Sequence, residues 1–505
     1  MALARAAAAR GYDTCRAEHI AAYRRETDAA AADFDDNPAT VQGFAFSQMH
    51  LHMAFGYDDN RVGVPIKGLT GHGYRFVNFW DMDFHMFPYF LLTKPRQARH
   101  LLEYRFNQLP AYRENARRWG ARGAQVPWET STRGVEETAP WLCLPDREIH
   151  ISADAARMFW LYDELTPDRD AMLAMGAQFI METARFYASR ITWGEGHRRC
   201  ELRNIGCPDQ YHTFAHNNLF TSLMARWNLE QAAATASRPD YAAARERAGV
   251  TDAEVREWQD MAARLFIPAP GRDGIIEQCN GFFDLDPDLD GISELFCRHS
   301  QAVKQADVIA AFGPFEEVYP AEVRRRNWHF YNDRTLHGSS LSLPGMAYGA
   351  ARCGLNDEAL YQLHKSARMD LDDVNLDTER GVHVSAGAVQ WYTVVFGFGG
   401  LTARREGVHL RPNLPRQWRW LRFTVHWQFR RLRVEITPGR VGLHADSAND
   451  GPVRVRVGDG RLVSVAPGQV LVRSWRSAGT AGRELQIADR KQKTANRKSQ
   501  IANRK

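Results

Sequence analysis

Leu421-Arg422-Phe423-Thr424-Val425-His426-Trp427 alternates apolar and polar side chains, and so do Leu432-Arg433-Val434-Glu435-Ile436 and Val453-Arg454-Val455-Arg456-Val457. A period of two marks a strand with one buried face. The bounding segments, Pro438-Gly439, Asn449-Asp450-Gly451 and Gly458-Asp459-Gly460, carry the residue types that tight chain reversals need. Roughly 70 residues from about position 405 onward therefore read as an antiparallel β domain.

Toward the N terminus the period changes. Residues 96–119 and 155–191 space their apolar positions three and four apart with charges between them, the pattern of surface helices. Such segments alternate with Gly-, Pro- and Trp-rich loops as far as residue 400 or so. Helices followed by strands indicate segregated layers, not an α/β winding. The fold expectation is a mainly α protein with a small β domain behind it.

A chain of 505 residues can bury a large core, and one big domain plus a smaller one is expected. Apolar residues at 44% and charged residues at 25% fit a soluble globular protein. No apolar run is long enough to span a bilayer, and the Ala-rich start is broken by Arg5 and Arg10, unlike a secretory signal. The seven cysteines are odd in number and form no C-x-x-C pair. Reduced thiols, a cytoplasmic location and no membrane partner follow as expectations, with no metal or redox role for Cys200 and Cys207. The net charge of +5 resides in the tail, where residues 486–505 hold seven Lys or Arg against one Asp. The rest of the chain is close to neutral, which speaks against a nucleic-acid partner. Ile487-Ala488-Asp489-Arg490-Lys491 recurs in altered form at 494 and 501, with too few apolar positions for a coiled-coil seam. Residues 477–505 read as a disordered basic repeat, and deleting everything after Ser477 is expected to leave folding and activity unchanged.

Eight segments carry chemistry. Lys67-Gly68-Leu69-Thr70-Gly71-His72-Gly73 precedes Asn78-Phe79-Trp80-Asp81-Met82-Asp83, and Pro127-Trp128-Glu129-Thr130 is a second Trp–carboxylate pair. An aromatic face beside an acid suits a sugar, whose C–H groups stack while its hydroxyls donate. Ile149-His150 precedes Asp154, and His150 reads equally as a substrate-facing or a packing residue. Gly206-Cys207-Pro208-Asp209-Gln210-Tyr211-His212 is followed by Asn217-Asn218, and Lys304-Gln305-Ala306-Asp307 opens an apolar run. Leu336-His337-Gly338-Ser339-Ser340 and Gly381-Val382-His383 supply hydroxyls and an imidazole, groups that phosphate binding calls for. Singly, each has a plain reading: a buried Trp with a capping Asp, a surface Lys, serines in a turn. No metal-ligand spacing, Rossmann glycines or P-loop is present, so neither metal nor cofactor is expected.

Taken in order, these segments resemble glycoside hydrolase family 65, the maltose, trehalose and kojibiose phosphorylase family, over residues 11–475. The resemblance implies an (α/α)6 barrel over 43–402 and a C-terminal antiparallel β-sheet domain over 403–476. Residues 1–42 stand as the remnant of a helical linker, and the family's N-terminal β-sandwich is expected to be absent. The resemblance further implies that Trp80, Asp81, Trp128 and Glu129 hold a glucosyl unit and that Lys304 and Gln305 bind the sugar at the bond being cut. Ser339, Ser340 and His383 would bind phosphate; in the family's hydrolases a carboxylate base stands at the His position. The departures are Asp83, where Glu is usual, Gly338, often Asp, and Ser385-Ala386.

The largest departure is Gln210, which occupies the position of the family's general-acid Glu. The implied reaction is inverting phosphorolysis of an α-linked glucose disaccharide to β-glucose 1-phosphate, with inorganic phosphate as co-substrate. Phosphate needs no protein base, so the acid is the one indispensable side chain, and an amide has no proton to give. Two alternatives stand beside this reading: an α-glucoside hydrolase on the same barrel, and a catalytically silent sugar-binding homologue. A homodimer is expected from the resemblance, although the family's dimer contacts involve the sandwich.

Overall fold

A computed structural model describes residues 2–475 apart from 57, 143, 294 and 295, so the basic repeat expected over 477–505 and Cys143 lie outside the described residues. Among the described residues, twelve principal helices form two concentric layers. The inner layer is Asp81–Met86 running into Phe87–Thr93, then Ile151–Leu165, Leu219–Ala236, Asp307–Phe312, Ser342–Arg352 and Val384–Tyr392. Each packs against the next, and Val384–Tyr392 closes the ring on Asp81–Met86. Pro38–Ala54, Pro95–Asn107, Ala177–Arg190, Asp252–Arg264, Ala321–Asn332 and Asn356–Arg368 form the outer layer.

Sequence pattern separates the layers. Asp252–Arg264 buries only Val255, Trp258, Met261 and Ala262, one stripe along an otherwise polar helix. Every residue of Val384–Tyr392 is buried, which is what a helix surrounded by others requires. Helix starts are set locally. Asn218 accepts from Thr221 N–H at 3.0 Å, and Thr251 and Glu254 form a reciprocal capping box. Asp81–Met86 is a π-helical turn, a distortion frequent at functional sites.

The C-terminal strands form two sheets. One runs Ala32–Phe34, Leu421–Trp427, Arg430–Thr437, Arg440–Ala445, Val470–Ser474, with every pairing antiparallel. Register places Leu421 opposite Ile436, Phe423 opposite Val434 and Val425 opposite Leu432, so the buried rows coincide. In the four-stranded sheet, Gly407–Leu410 runs parallel to Val453–Val457, the one departure from the antiparallel pattern among the described strands. The edge strand Ala32–Phe34 comes from the segment read as a helical linker remnant, and Phe34 stacks on Trp418 at 4.6 Å. Extended structure inside that segment could not be anticipated, because three residues carry no periodicity. Arg405 ties the sheets to the barrel through Asp163 and Glu164, at 2.7 and 2.9 Å.

Candidate active site

Each inner helix is entered from an outer helix running the other way, so all six inner helices point in one direction and their N-termini share one end of the barrel. Every residue singled out for sugar or phosphate lies in a loop feeding that end, save Asp81, the first residue of its helix. Trp80 and Asp81 start the first inner helix, and Trp128 and Glu129 precede the second. Gln210 precedes the third, Lys304 and Gln305 the fourth, Ser339 and Ser340 the fifth, and His383 caps the sixth. Ten of the twelve described non-glycine residues with positive φ sit in these loops, among them Tyr74, Arg75, Phe76, Gln210 and His337. Backbone strain of this kind collects where a fold places functional groups.

The two tryptophans are buried, 3% exposed for Trp80 and 2% for Trp128. His150 lies between them, edge-on to Trp80 at 4.9 Å and to Trp128 at 5.4 Å, and its Nδ1 bonds Asp154 at 2.7 Å. Of the two readings of His150, packing is the one the structure realises. Little indole face remains open for a sugar. Burial lifts the Asp81 carboxyl to about 6, against the pull of Ser385 and His383. Burial also lifts Glu129, to about 7, although Arg75 donates to it at 2.6 Å.

The 206–212 loop is tied down from several sides. Asp209 accepts from the Lys304 backbone at 2.5 Å, from Gln278 at 3.0 Å and from His212 Nδ1. Burial disfavours the His212 imidazolium, but Asp209 outweighs it and raises the pKa to about 9. Lys304 Nζ donates to Gln210 Oε1 at 2.7 Å, and Gln305 Nε2 donates to the Pro208 carbonyl. The Lys-Gln pair thus turns onto this loop. Beneath it, a Cβ at Gly206 would lie 2.6 Å from Glu148 Cδ. Neither Glu148 oxygen has a hydrogen-bond partner among the described residues, and burial holds its pKa well above the usual carboxylate range.

His383 belongs to a cluster that sequence reasoning only half identified. Its Nδ1 lies 2.7 Å from Asp370 Oδ1 and its Nε2 lies 2.6 Å from Lys67 Nζ. A carboxylate only accepts and a lysine only donates, so the ring proton belongs on Nδ1 and the positive charge at this point is that of Lys67. Lys67 Nζ also bonds Asp377 at 2.9 Å. Close interlocking of two loops produces the cluster: a Cβ at Gly71 would meet the Arg380 backbone at 2.4 Å. Lys67 lies in the Gly-rich 67–73 turn, to which the sequence assigned no role, and a lysine among glycines was the available signal. Asp370 and Asp377 gave none, since they reach His383 only through the path of their loop. Ser339 and Ser340 are half-buried at the same end, and Ser339 Oγ accepts from Leu341 N–H at 3.3 Å. The buried thiol beside Cys207 is Cys279 and not the sequence-adjacent Cys200, and the six described cysteines are free. No helix among the described residues is long and apolar enough to cross a membrane.

A closed double ring of helices followed by two β-sheets, with acids, a lysine and an imidazole in the loops at the inner-helix N-termini, defines an (α/α)6-barrel protein with a C-terminal sheet domain. Residues 45–392 match the model of the glycosyl hydrolase family 65 central catalytic domain, and residues 401–464 match that family's C-terminal domain. The chain belongs to glycosyl hydrolase family 65. It is 33% identical over 464 residues to a kojibiose phosphorylase of Caldanaerobacter subterraneus subsp. tengcongensis, covering 86% of this chain and 60% of that relative. It is 32% identical over 426 residues to an alpha,alpha-trehalose phosphorylase of Geobacillus stearothermophilus, covering 81% of this chain and 55% of that one. A solved human-microbiome structure, provisionally named kojibiose phosphorylase, shares the fold with a TM-score of 0.83 at 22% identity, covering 90% of this chain and 68% of that one. The chain therefore spans between half and two thirds of the length of these curated relatives.

Proposed function

We propose that this chain is built for inverting phosphorolysis of an α-glucosyl disaccharide, releasing β-glucose 1-phosphate, with the acid step impaired by Gln210. The supporting observation is the Lys67–His383 pair, where a buried ammonium beside an imidazole offers charge and hydrogen bonds to an oxyanion. Asp81 and Glu129 would accept sugar hydroxyls, and Ser339 and Ser340 would complete the phosphate site. Bound phosphate would displace Asp377 from Lys67 and attack the anomeric carbon. Gln210 keeps the shape of the acid, but the leaving oxygen gains a hydrogen bond in place of a proton. General acid catalysis contributes about 10²- to 10⁴-fold, so slow turnover of ordinary disaccharides is the consequence. The barrel over 43–402, the sheet domain over 403–476 and a homodimeric assembly belong to the same reading.

One observation favours hydrolysis instead. Asp377 Oδ2 lies 3.3 Å from His383 Nε2, and its Oδ1 has no partner among the described residues. A carboxylate there is the group that would activate water. The test incubates maltose, trehalose, kojibiose and nigerose with and without phosphate, for this chain and for Gln210→Glu, assaying glucose and β-glucose 1-phosphate. Phosphate-independent glucose release would select hydrolysis; sugar binding without turnover in either protein would select the silent homologue.

A further inference from the structure

The inner ring of helices is not filled along its axis. A half-open cavity of about 830 Å³ runs between the five inner helices other than Leu219–Ala236, bounded at the site end by Trp80, Pro208 and Gln305 and at the other by Arg404 and Arg456 of the sheet domain. Gln210, Lys304, Ser339, Ser340 and His383 do not line it, whereas Trp80 and Gln305 do, so the lumen abuts the candidate site from behind. Its volume falls within the range of small-molecule sites.

Arg157 projects into the lumen from Ile151–Leu165, one turn beyond Asp154. Its guanidinium has no hydrogen-bond acceptor among the described residues and rests 5.4 and 5.8 Å from the ring centroids of Trp160 and Trp227. The other lumen arginines are mostly spoken for. Arg324 and Arg352 are held by Glu316, Arg404 by Glu317 and Arg411 by Asp459. Arg157 is half-buried, its nearest opposite charge is Asp154 one turn back, and its guanidinium opens onto the cavity. Burial pulls its pKa down to about 10, so it stays cationic at neutral pH. Tyr348 stands on the opposite wall, packed on Tyr392 at 5.8 Å, with no acceptor or donor for its hydroxyl among the described residues.

We infer that the barrel lumen is a second ligand site, taking a small phosphate- or carboxylate-bearing molecule whose anionic head is clasped by Arg157 and Tyr348 and whose body lies against the aromatic wall. Trp80 and Gln305 are shared partitions between lumen and cleft, so an occupant would press on the floor beneath the sugar and on the support of Pro208. The inference does not depend on whether the cleft performs phosphorolysis.

Gly345 supplies an independent test. It lines the lumen from Ser342–Arg352, and a Cβ added there meets nothing within 4 Å, so Gly345→Leu fills the space while leaving Arg157 in place. Calorimetric titration of the full chain with inorganic phosphate, glucose 6-phosphate and glucuronate would compare wild type, Arg157→Met, Gly345→Leu and Lys67→Met. The expected result is binding that survives Lys67→Met and is weakened about tenfold or more by each lumen variant. Preference for glucose 6-phosphate or for glucuronate then tells a phosphate head from a carboxylate one. The inference is overturned if wild type takes up none of the three, if Lys67→Met abolishes all binding, or if Gly345→Leu, confirmed folded by circular dichroism, binds like wild type.

Discussion

Lys304 Nζ donates a 2.7 Å hydrogen bond to the Oε1 of Gln210. The contact fixes the amide, because a lysine only donates and must therefore meet the oxygen. The NH₂ group is left to point away from Lys304, able to donate a hydrogen bond but not a proton. Gln210 is held in a left-handed backbone conformation, φ 63°.

Gln210→Glu is expected to raise phosphorolysis by about a hundredfold or more, the scale of general acid catalysis. The ammonium of Lys304 would favour the ionised carboxyl and draw its pKa down, so the activity gained should peak on the acid side and fall as pH rises. A kcat/KM profile against pH reads both effects. No gain at any pH would show that the missing proton is not what limits this chain.

Asp377 and phosphate would compete for Lys67. Under the phosphorolytic reading, Asp377→Asn should lower the KM for phosphate by about tenfold, since a charged rival is removed. Under the hydrolytic reading the same change should remove glucose release. The two outcomes are opposite in sign, and one steady-state measurement in the Gln210→Glu background separates them.

Under the proposed reading Asp81 would accept sugar hydroxyls, and it does so most strongly when ionised. With its carboxyl lifted to about 6, sugar affinity should decline as pH falls below that value, and Asp81→Asn should bind weakly at every pH. Titration of a disaccharide between pH 5 and 8 checks this. A wild-type affinity flat across that range would remove Asp81 from the sugar contacts.

His212 bears on stability. Its pKa is raised from 6.5 to about 9 in the folded chain, so its contribution is fully present below 6.5 and disappears as pH climbs through 9. The difference corresponds to roughly 3 kcal/mol at most, on the scale of 1.36 kcal/mol per pKa unit. Denaturant midpoints should fall between pH 6.5 and 9 in wild type and stay nearly level in His212→Gln, whose overall stability is lower. Parallel pH dependence in the two proteins would place the effect elsewhere.

The layered architecture was legible because each periodicity is a local property. Leu421 to Trp427 alternate with a period of two whatever they pack against, and helix starts such as Asn218 and Thr251 are set by their own side chains. The barrel itself came from resemblance, since inner helices such as Val384–Tyr392 are buried on all sides and show no amphipathic stripe. Gln210, proposed to stand in the place of an acid, was likewise visible in a single letter.

Tertiary structure decided what those residues touch. Lys67 and His383 are 316 positions apart and meet because the glycine-rich 67–73 turn interlocks with the loop that carries Gly381. Trp80 and Trp128 are sealed around His150, and Gln305 spends its amide on Pro208, neither of which any spacing foretold. The strand Ala32–Phe34 and the lumen around Arg157 are likewise products of long-range closure. Periodicity reports which way a side chain faces along its own element; partners, voids and the charge at a point depend on how distant segments come together.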